Sequence, residues 1–295
     1  MIRFAFLPLL LALNFSMCKK QQAVTEKPQP AGTSGPATAA ATAAPVVAAA
    51  PKVKKPVVDQ TAQVIILCYH RLVDKIRYPG TEITPAAFEA QMKELKDKGI
   101  TVIPMQDLLA WKRGEKNIPP RAAVITFDDG HRNFYTAAAP LLENHGMPAL
   151  MFLISNRVIA NASKSSTWHE TDDQDYLSWN EVRELRTRGF EFGSHTCSHQ
   201  RLPQISPQEV ERELADSKST IEQHTTAEGL SLAYPYGMAT DEIAGRAAAL
   251  GYWCAFTTDT GFNNKTTPLF KLHRTLIGDN DDIPAFAARV AGLTR

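Results

Sequence analysis

The segment Ala122-Ala123-Val124-Ile125-Thr126-Phe127-Asp128-Asp129-Gly130 constrains this chain more than any other. An apolar, β-branched run of that length reads as a buried strand. It stops at two adjacent carboxylates and a glycine. Packing gains nothing from such an end, because neighbouring carboxylates repel and lose solvation unless a cation or a proton sits between them. The segment alone leaves two readings open. Asp-Asp-Gly is a turn with both acids in water, or the strand delivers both acids to an open edge where something positive holds them.

Around that strand, strand and helix signals alternate. Residues 64–69 form an apolar strand ending at His70. Thr84-Pro85 supplies an N-cap and a first-turn proline for a helix to Lys98, stopped by Gly99. Residues 100–105 read as a strand and 106–112 as a short helix. After the Asp-Asp strand come a helix over about 134–144 and an apolar strand over 148–154. Residues 156–177 form a polar loop long enough to suggest a function. Ser178-Trp179-Asn180-Glu181 and Ser206-Pro207-Gln208-Glu209 have capping-box spacing and open helices to Arg188 and about His224. Strands over 190–194, 230–234, 252–257 and 272–277, with helices over 240–250 and from Ile283, complete the pattern. Seven or so βα units over about 235 residues imply a parallel sheet with helices outside. A closed or nearly closed βα barrel fits that count, and a doubly wound open sheet is the alternative. Either fold puts its active site at the C-terminal strand ends. His70, Asp128, Asp129 and His195 all sit at such ends.

A formal net charge of +1 gives no basic surface for nucleic acid. The first residues, to about Leu13, are a short apolar run too brief to span a bilayer, and 1–18 reads as a signal peptide. Cys18, followed by Lys19 and Lys20, resembles the lipid-attachment cysteine of bacterial lipoproteins, although Phe15-Ser16-Met17 departs from the usual pattern before it. Residues 19–60 are rich in Ala and Pro without an aromatic and read as a disordered tether, leaving 61–295 as the folded domain. The expected location is the cell envelope, in the periplasm or on the outer surface. Cys68, Cys197 and Cys254 are odd in number, lie in or beside apolar runs, and read as buried thiols.

His195-Thr196-Cys197-Ser198-His199 places two imidazoles four residues apart. In a helical turn both lie on one face, a spacing suited to one metal ion, and the bland alternative is two surface or capping histidines. One carboxylate with two imidazoles makes a facial set with open positions. The other carboxylate is then free to act as general base, and His70 and His273 are the candidates for the leaving-group acid.

These residues together resemble a known family. Thr126-Phe127-Asp128-Asp129-Gly130 with His195-x-x-x-His199 is similar to the polysaccharide deacetylases, carbohydrate esterase family 4 with the NodB-homology domain. Leu177-Ser178-Trp179, Gly193-Ser194-His195-Thr196 and Ala233-Tyr234-Pro235-Tyr236-Gly237 extend the likeness. The resemblance implies an irregular (β/α)7 barrel and a divalent metal, usually Zn2+. It implies removal of N-acetyl groups from N-acetylglucosamine polymers or of O-acetyl groups from xylan. Carried over, Asp128 is the base, and Asp129, His195 and His199 are the metal ligands. Tyr236 lies near the substrate, with its backbone N–H at the oxyanion. Trp179 and Arg274 join Tyr236 as residues expected beside the substrate. Trp168, His169, Asp172 and Asp173 in the long loop are candidates for a sugar groove.

Two departures stand out. Many members carry an arginine two residues before the proline of Tyr-Pro-Tyr-Gly, paired with the base. Here that position is Ala233, and Arg274 is the candidate substitute. The usual last motif, an apolar strand ending in the acid histidine, comes first here as Val64 to His70. The chain thus resembles the circularly permuted poly-β-1,6-N-acetylglucosamine deacetylases, which assigns the acid to His70 ahead of His273. The expected function is metal-dependent N-deacetylation of an N-acetylglucosamine-containing polysaccharide. The rivals are an O-acetyl esterase of the same fold and a non-catalytic glycan-binding lipoprotein.

Overall fold

Val64–Tyr69 and Ala122–Phe127 are buried along their whole length, as apolar runs covered on both faces must be. The computed structural model describes residues 57–158, 175–226 and 229–294. Its main strands are β1 (Gln63–Tyr69), β2 (Arg121–Phe127), β3 (Leu150–Leu153), β4 (Glu191–Ser194), β5 (Ser231–Ala233), β6 (Cys254–Phe256) and β7 (Thr275–Leu276). The first six pair in that order, all parallel. β7 pairs in parallel with β1, Leu67 opposite Thr275 and Cys68 opposite Leu276. Just before it, Leu272 bridges Phe256 of β6. One short segment therefore touches both edges of the six-stranded sheet and curls it into an irregular seven-stranded barrel. The open doubly wound sheet is excluded.

Residues alternate between the barrel interior and the helix layer, as the two-residue strand period requires. Val64, Ile66, Ala122, Val124, Phe152 and Phe256 pack with one another inside the barrel. Ile65, Leu67, Ala123, Ile125, Met151 and Leu232 pack outward on the helices. Gly193 continues the inward register of β4, where a Cβ would come within 2.6 Å of the Phe152 ring. Phe152 fills the interior because Gly193 leaves it room.

The covering helices are α1 (Pro85–Asp97), α2 (Met105–Lys112), α3 (Ala139–His145), α4 (Trp179–Thr187), α5 (Pro207–Thr225), α6 (Asp241–Ala249) and α7 (Ile283–Val290). Thr84 caps α1, and both expected capping boxes form, with Ser178–Glu181 on α4 and Ser206–Glu209 on α5.

Several boundaries differ from expectation. The strand expected over 100–105 shrinks to Thr101–Val102, and Met105 already opens α2. Pro104 brings no side-chain cap, so the Met105 and Gln106 N–H groups donate instead to the Glu191 carboxylate, at 2.7 and 3.3 Å. The helix expected over 134–144 begins as a π-helical segment, Phe134–Ala138. The domain also starts earlier than residue 61. Asp59 accepts from the Trp111 indole at 2.8 Å, and the Gln60 amide donates to the Trp111 carbonyl at 2.6 Å. The signal segment, Cys18, the body of the tether, Trp168, His169, Asp172 and Asp173 lie outside the described residues. Cys68, Cys197 and Cys254 are buried and free, as expected. Among the described residues no helix is long and apolar enough to cross a membrane.

Candidate active site

The inward register of the strands sets the site. His70 continues the series Val64, Ile66, Cys68; Asp128 continues Ala122, Val124, Thr126; His195 continues Gly193. All three leave their strands at the C-terminal mouth of the barrel. Tyr69 lies opposite Phe127 in the ladder and accepts from the Asp128 N–H at 3.0 Å, so His70 and Asp128 come out side by side.

The mouth holds strained backbone. Five described non-glycine residues have positive φ, and four of them are Asp129 (74°), Thr196 (66°), His199 (63°) and Tyr236 (59°). Such conformations cost about 1–3 kcal/mol each and persist where the surroundings impose them. They also correct one expectation. His195 and His199 do not lie on a helical turn; the chain after β4 is an irregular loop. Its left-handed residues still bring the two rings to 4.7 Å.

Asp129, His195 and His199 converge. Asp129 Oδ1 lies 3.7 Å from His195 Nε2 and 3.6 Å from His199 Nε2. The oxygen is buried without a hydrogen-bond partner. His195 Nδ1 lies 2.8 Å from the Ala233 carbonyl, so Nδ1 is the donor there and Nε2 is the atom turned to Asp129. Burial and then His195 lower the His199 pKa to about 4, keeping that ring neutral. Burial raises the Asp129 pKa, but His131, His70 and His195 outweigh it and hold the carboxyl well below the usual range. One orphaned carboxylate oxygen between two imidazoles fits a divalent cation, and the three donor atoms lie within 4.8 Å of one another.

Asp128 also approaches His195, its Oδ2 3.8 Å from Nε2, but it is gripped by a different partner. Arg274 Nη1 donates to its Oδ1 at 2.7 Å and Nη2 to its Oδ2 at 2.8 Å. Burial raises the Asp128 pKa, yet Arg274, then His195 and His70, bring it down to about 2. The Cys68 thiol adds a 3.5 Å contact to Oδ2, and burial pushes that thiol's pKa well up.

Arg274 is therefore not beside the substrate. It is 0% exposed, its Nε–H donates to the Thr257 carbonyl at 3.1 Å, and it lies over Phe152 and Phe256. Trp179 is also displaced from its expected place. The Ser178 cap turns it into the helix layer, where it is 5% exposed and stacks on His224 at 4.1 Å. Tyr236 does line the cavity, as do His70, Asp128, Asp129, His195 and His199. The cavity measures about 510 Å3. His273 is not on its wall; its backbone is tied to Asn263.

Sequence reasoning missed part of the wall. His131 Nε2 lies 3.7 Å from Asp129 Oδ2, and its ring stacks on Tyr176 at 4.9 Å. Arg157 donates to the Tyr176 hydroxyl at 2.7 Å. Arg157 and Tyr176 belong to the two ends of the long polar loop, and His131 follows Asp129 by two residues. Proximity to marked segments was the available signal. Tyr78, from the loop after β1, also lines the cavity and gave none.

Residues 115–255 match the polysaccharide deacetylase family. The protein YxkH of Bacillus subtilis (strain 168) is 28% identical over 237 residues, covering 80% of this chain and 78% of that one. The poly-β-1,6-N-acetyl-D-glucosamine N-deacetylase of Escherichia coli (strain K12) is 26% identical over 239 residues. That match covers 70% of this chain and 35% of the relative, so this chain corresponds to about a third of it. The crystal structure of BC0361, a polysaccharide deacetylase from Bacillus cereus, superposes with a TM-score of 0.64 at 29% identity, over 77% of this chain and 69% of that one. By its likeness to these polysaccharide deacetylases the chain is a hydrolytic enzyme. Deacetylases of this type are metal-dependent, and two groups among the described residues have donor atoms close enough to hold an ion, Asp129 with His195 and His199, and Asp128 with Cys68 and His70.

Proposed function

We propose that this polysaccharide deacetylase removes N-acetyl groups from an N-acetylglucosamine-containing glycan, poly-N-acetylglucosamine or a peptidoglycan-like polymer, and that it does so with zinc. The observation that carries this reading is the split between the two aspartates. Asp129 turns a buried, unpartnered oxygen to His195 and His199, while Asp128 is held by Arg274. The name of the Escherichia coli relative supports the substrate.

Asp129, His195 and His199 hold the metal, which when bound acidifies water and polarises the acetyl carbonyl. Asp128 is the general base. With a pKa of about 2 it is ionised at working pH, and Arg274 fixes the direction of its lone pairs. His70, beside Asp128 at the strand ends, gives a proton to the departing amine. An amide needs that acid, because an amine leaves as a poor anion. Tyr236 stands on the cavity wall, and its backbone N–H is the donor for the developing oxyanion. Export to the cell envelope, with lipidation at Cys18, rests on the N-terminal apolar run and the cysteine after it.

Acetate release from N-acetylglucosamine oligomers, with acetylated xylan as the parallel substrate, tests the reaction. Release from the amide substrate that chelator abolishes and zinc restores supports it. Turnover of acetylated xylan alone makes the protein an esterase, and glycan binding without turnover makes it a binding protein.

A further inference from the structure

Among the described residues, four large apolar or aromatic side chains are exposed: Val57, Tyr78, Tyr236 and Trp253. Two of them, Tyr78 at 56% and Tyr236 at 49%, line the cavity that holds the acids and histidines. Scattered exposed aromatics need no explanation, but two on the rim of one polar cavity do.

Their places in the barrel differ. Tyr78 lies on the loop that follows β1, and Tyr236 on the turn that follows β5. Going round the barrel, β5 is four strands from β1 through β2 and three through β7. The two rings therefore stand on opposite sides of the mouth. Asp129 and Asp128 enter after β2, and His195 and His199 after β4, so the reacting groups lie between them.

Both tyrosines are held in place by their surroundings. The Arg77 and Tyr78 N–H groups donate to Glu82 Oε2 at 2.5 and 2.8 Å. Glu82 is 0% exposed and takes Arg71 Nη1 on Oε1 at 3.0 Å. The Tyr78 carbonyl accepts from Thr81 and Glu82, and Asp279 N–H donates to the Pro79 carbonyl. A buried carboxylate–guanidinium pair is an expensive way to hold a loop unless the loop's shape matters. It fixes the backbone of Tyr78 and leaves its ring in water, with no ring partner among the described residues. Across the mouth, Tyr236 sits at φ 59°, tilted on His199 at 4.7 Å and 3.9 Å from the Arg201 guanidinium.

Rigid aromatic faces with a polar tip bind surfaces that are apolar in the middle and polar at the edge. A pyranose ring has that character: axial C–H groups on its faces and hydroxyls round its rim. We infer that Tyr78 and Tyr236 are two sugar-stacking platforms flanking the reaction centre, so that the enzyme acts on an internal sugar of a chain that reaches both sides of the mouth. The inference rests on the deacetylase reading and adds a substrate length and a binding residue, Tyr78, that the reaction itself does not require.

The test uses zinc-loaded enzyme and β-linked N-acetylglucosamine oligomers of two to six sugars, read by calorimetric binding and by acetate release. The parent should bind and turn over the hexasaccharide better than the disaccharide, mainly through KM. Tyr78→Ala should lose about tenfold of that length gain, the scale of one truncated aromatic anchor, with kcat much less affected. Tyr78→Phe, which keeps the ring, should retain the gain. An unchanged thermal midpoint for Tyr78→Ala excludes unfolding as the cause. A parent that gains nothing beyond the disaccharide overturns the inference, as does an equal loss in Tyr78→Ala at every length. In either case the deacetylase reading stands if acetate is released. If no oligomer is bound or hydrolysed, that reading fails as well.

Discussion

Arg274 grips Asp128 through two parallel bonds, 2.7 Å to Oδ1 and 2.8 Å to Oδ2, between residues 146 positions apart in the chain. Arg274 directly precedes β7, which pairs with β1, and β1 lies alongside β2, so the segment that closes the barrel also brings this pair together. Both partners are buried, Asp128 at 2% exposed and Arg274 at 0%. Removing one strands the other's charge, which in buried pairs costs about 3–5 kcal/mol. Arg274→Met should therefore lower stability by about that amount, measured by denaturant unfolding. It should also raise the Asp128 pKa from about 2, because Arg274 is the largest of the groups that offset the burial. The acid limb of kcat/KM then moves to higher pH, and an unmoved limb with lost stability would make Arg274 purely structural.

The two acid candidates separate by position. His70 lines the cavity and His273 does not. His70→Ala should lower kcat on an N-acetyl substrate by about 100-fold or more, the usual scale for a positioned acid. His273→Ala should stay within a few-fold. The reverse result would reject the reading of the chain as permuted.

His199 gives a pH-dependent prediction for the metal-free protein. Its folded pKa is lowered to about 4 by burial and then by His195, against about 6.5 in an unfolded chain. Between those values the unfolded state holds a proton that the folded state lacks. Stability from this group is thus complete above about pH 6.5 and is lost as pH falls towards 4. An NMR titration of the His199 ring in the metal-free protein should show a midpoint near 4. His199→Gln should flatten the fall in stability across that window. A midpoint near 6.5 would contradict the burial of this ring.

Trp179 supplies a contrasting case. Stacked on His224 and packed behind the Ser178 cap, it has no access to the cavity. Trp179→Ala should cost about 3–5 kcal/mol of stability. At a temperature where the variant is folded, its KM for glycan should be nearly that of the parent.

Those two residues mark where the sequence was legible. Buried strands and capped helices carry local signals: apolar runs, Ser-x-x-Glu spacing, a proline after Thr84. From them follow the barrel, the mouth and the placing of His70, Asp128 and His195 at strand ends. Trp179 misled because its signal was a motif position, and a motif does not say which way a side chain faces after its cap. Arg274 was visible as a charge near the last strand, but its partner is set by barrel closure, a contact no local pattern encodes. Glu191 capping α2 from 86 residues away is the same kind of event. Tyr78 was invisible because its position depends on a buried Glu82 whose burial only the folded loop creates. The helical turn expected for His195 and His199 failed for a related reason. A four-residue spacing is necessary for a helix pair but does not exclude a strained loop.

The account's central claim is that the two neighbouring aspartates have different work. Acetate release from N-acetylglucosamine hexasaccharide, together with zinc content, should be measured for the parent, Asp128→Asn and Asp129→Asn. The account predicts that Asp128→Asn keeps its zinc and loses at least about 100-fold in kcat, while Asp129→Asn loses the zinc and the activity together. Zinc lost equally from both variants, or full turnover by Asp128→Asn, would contradict it.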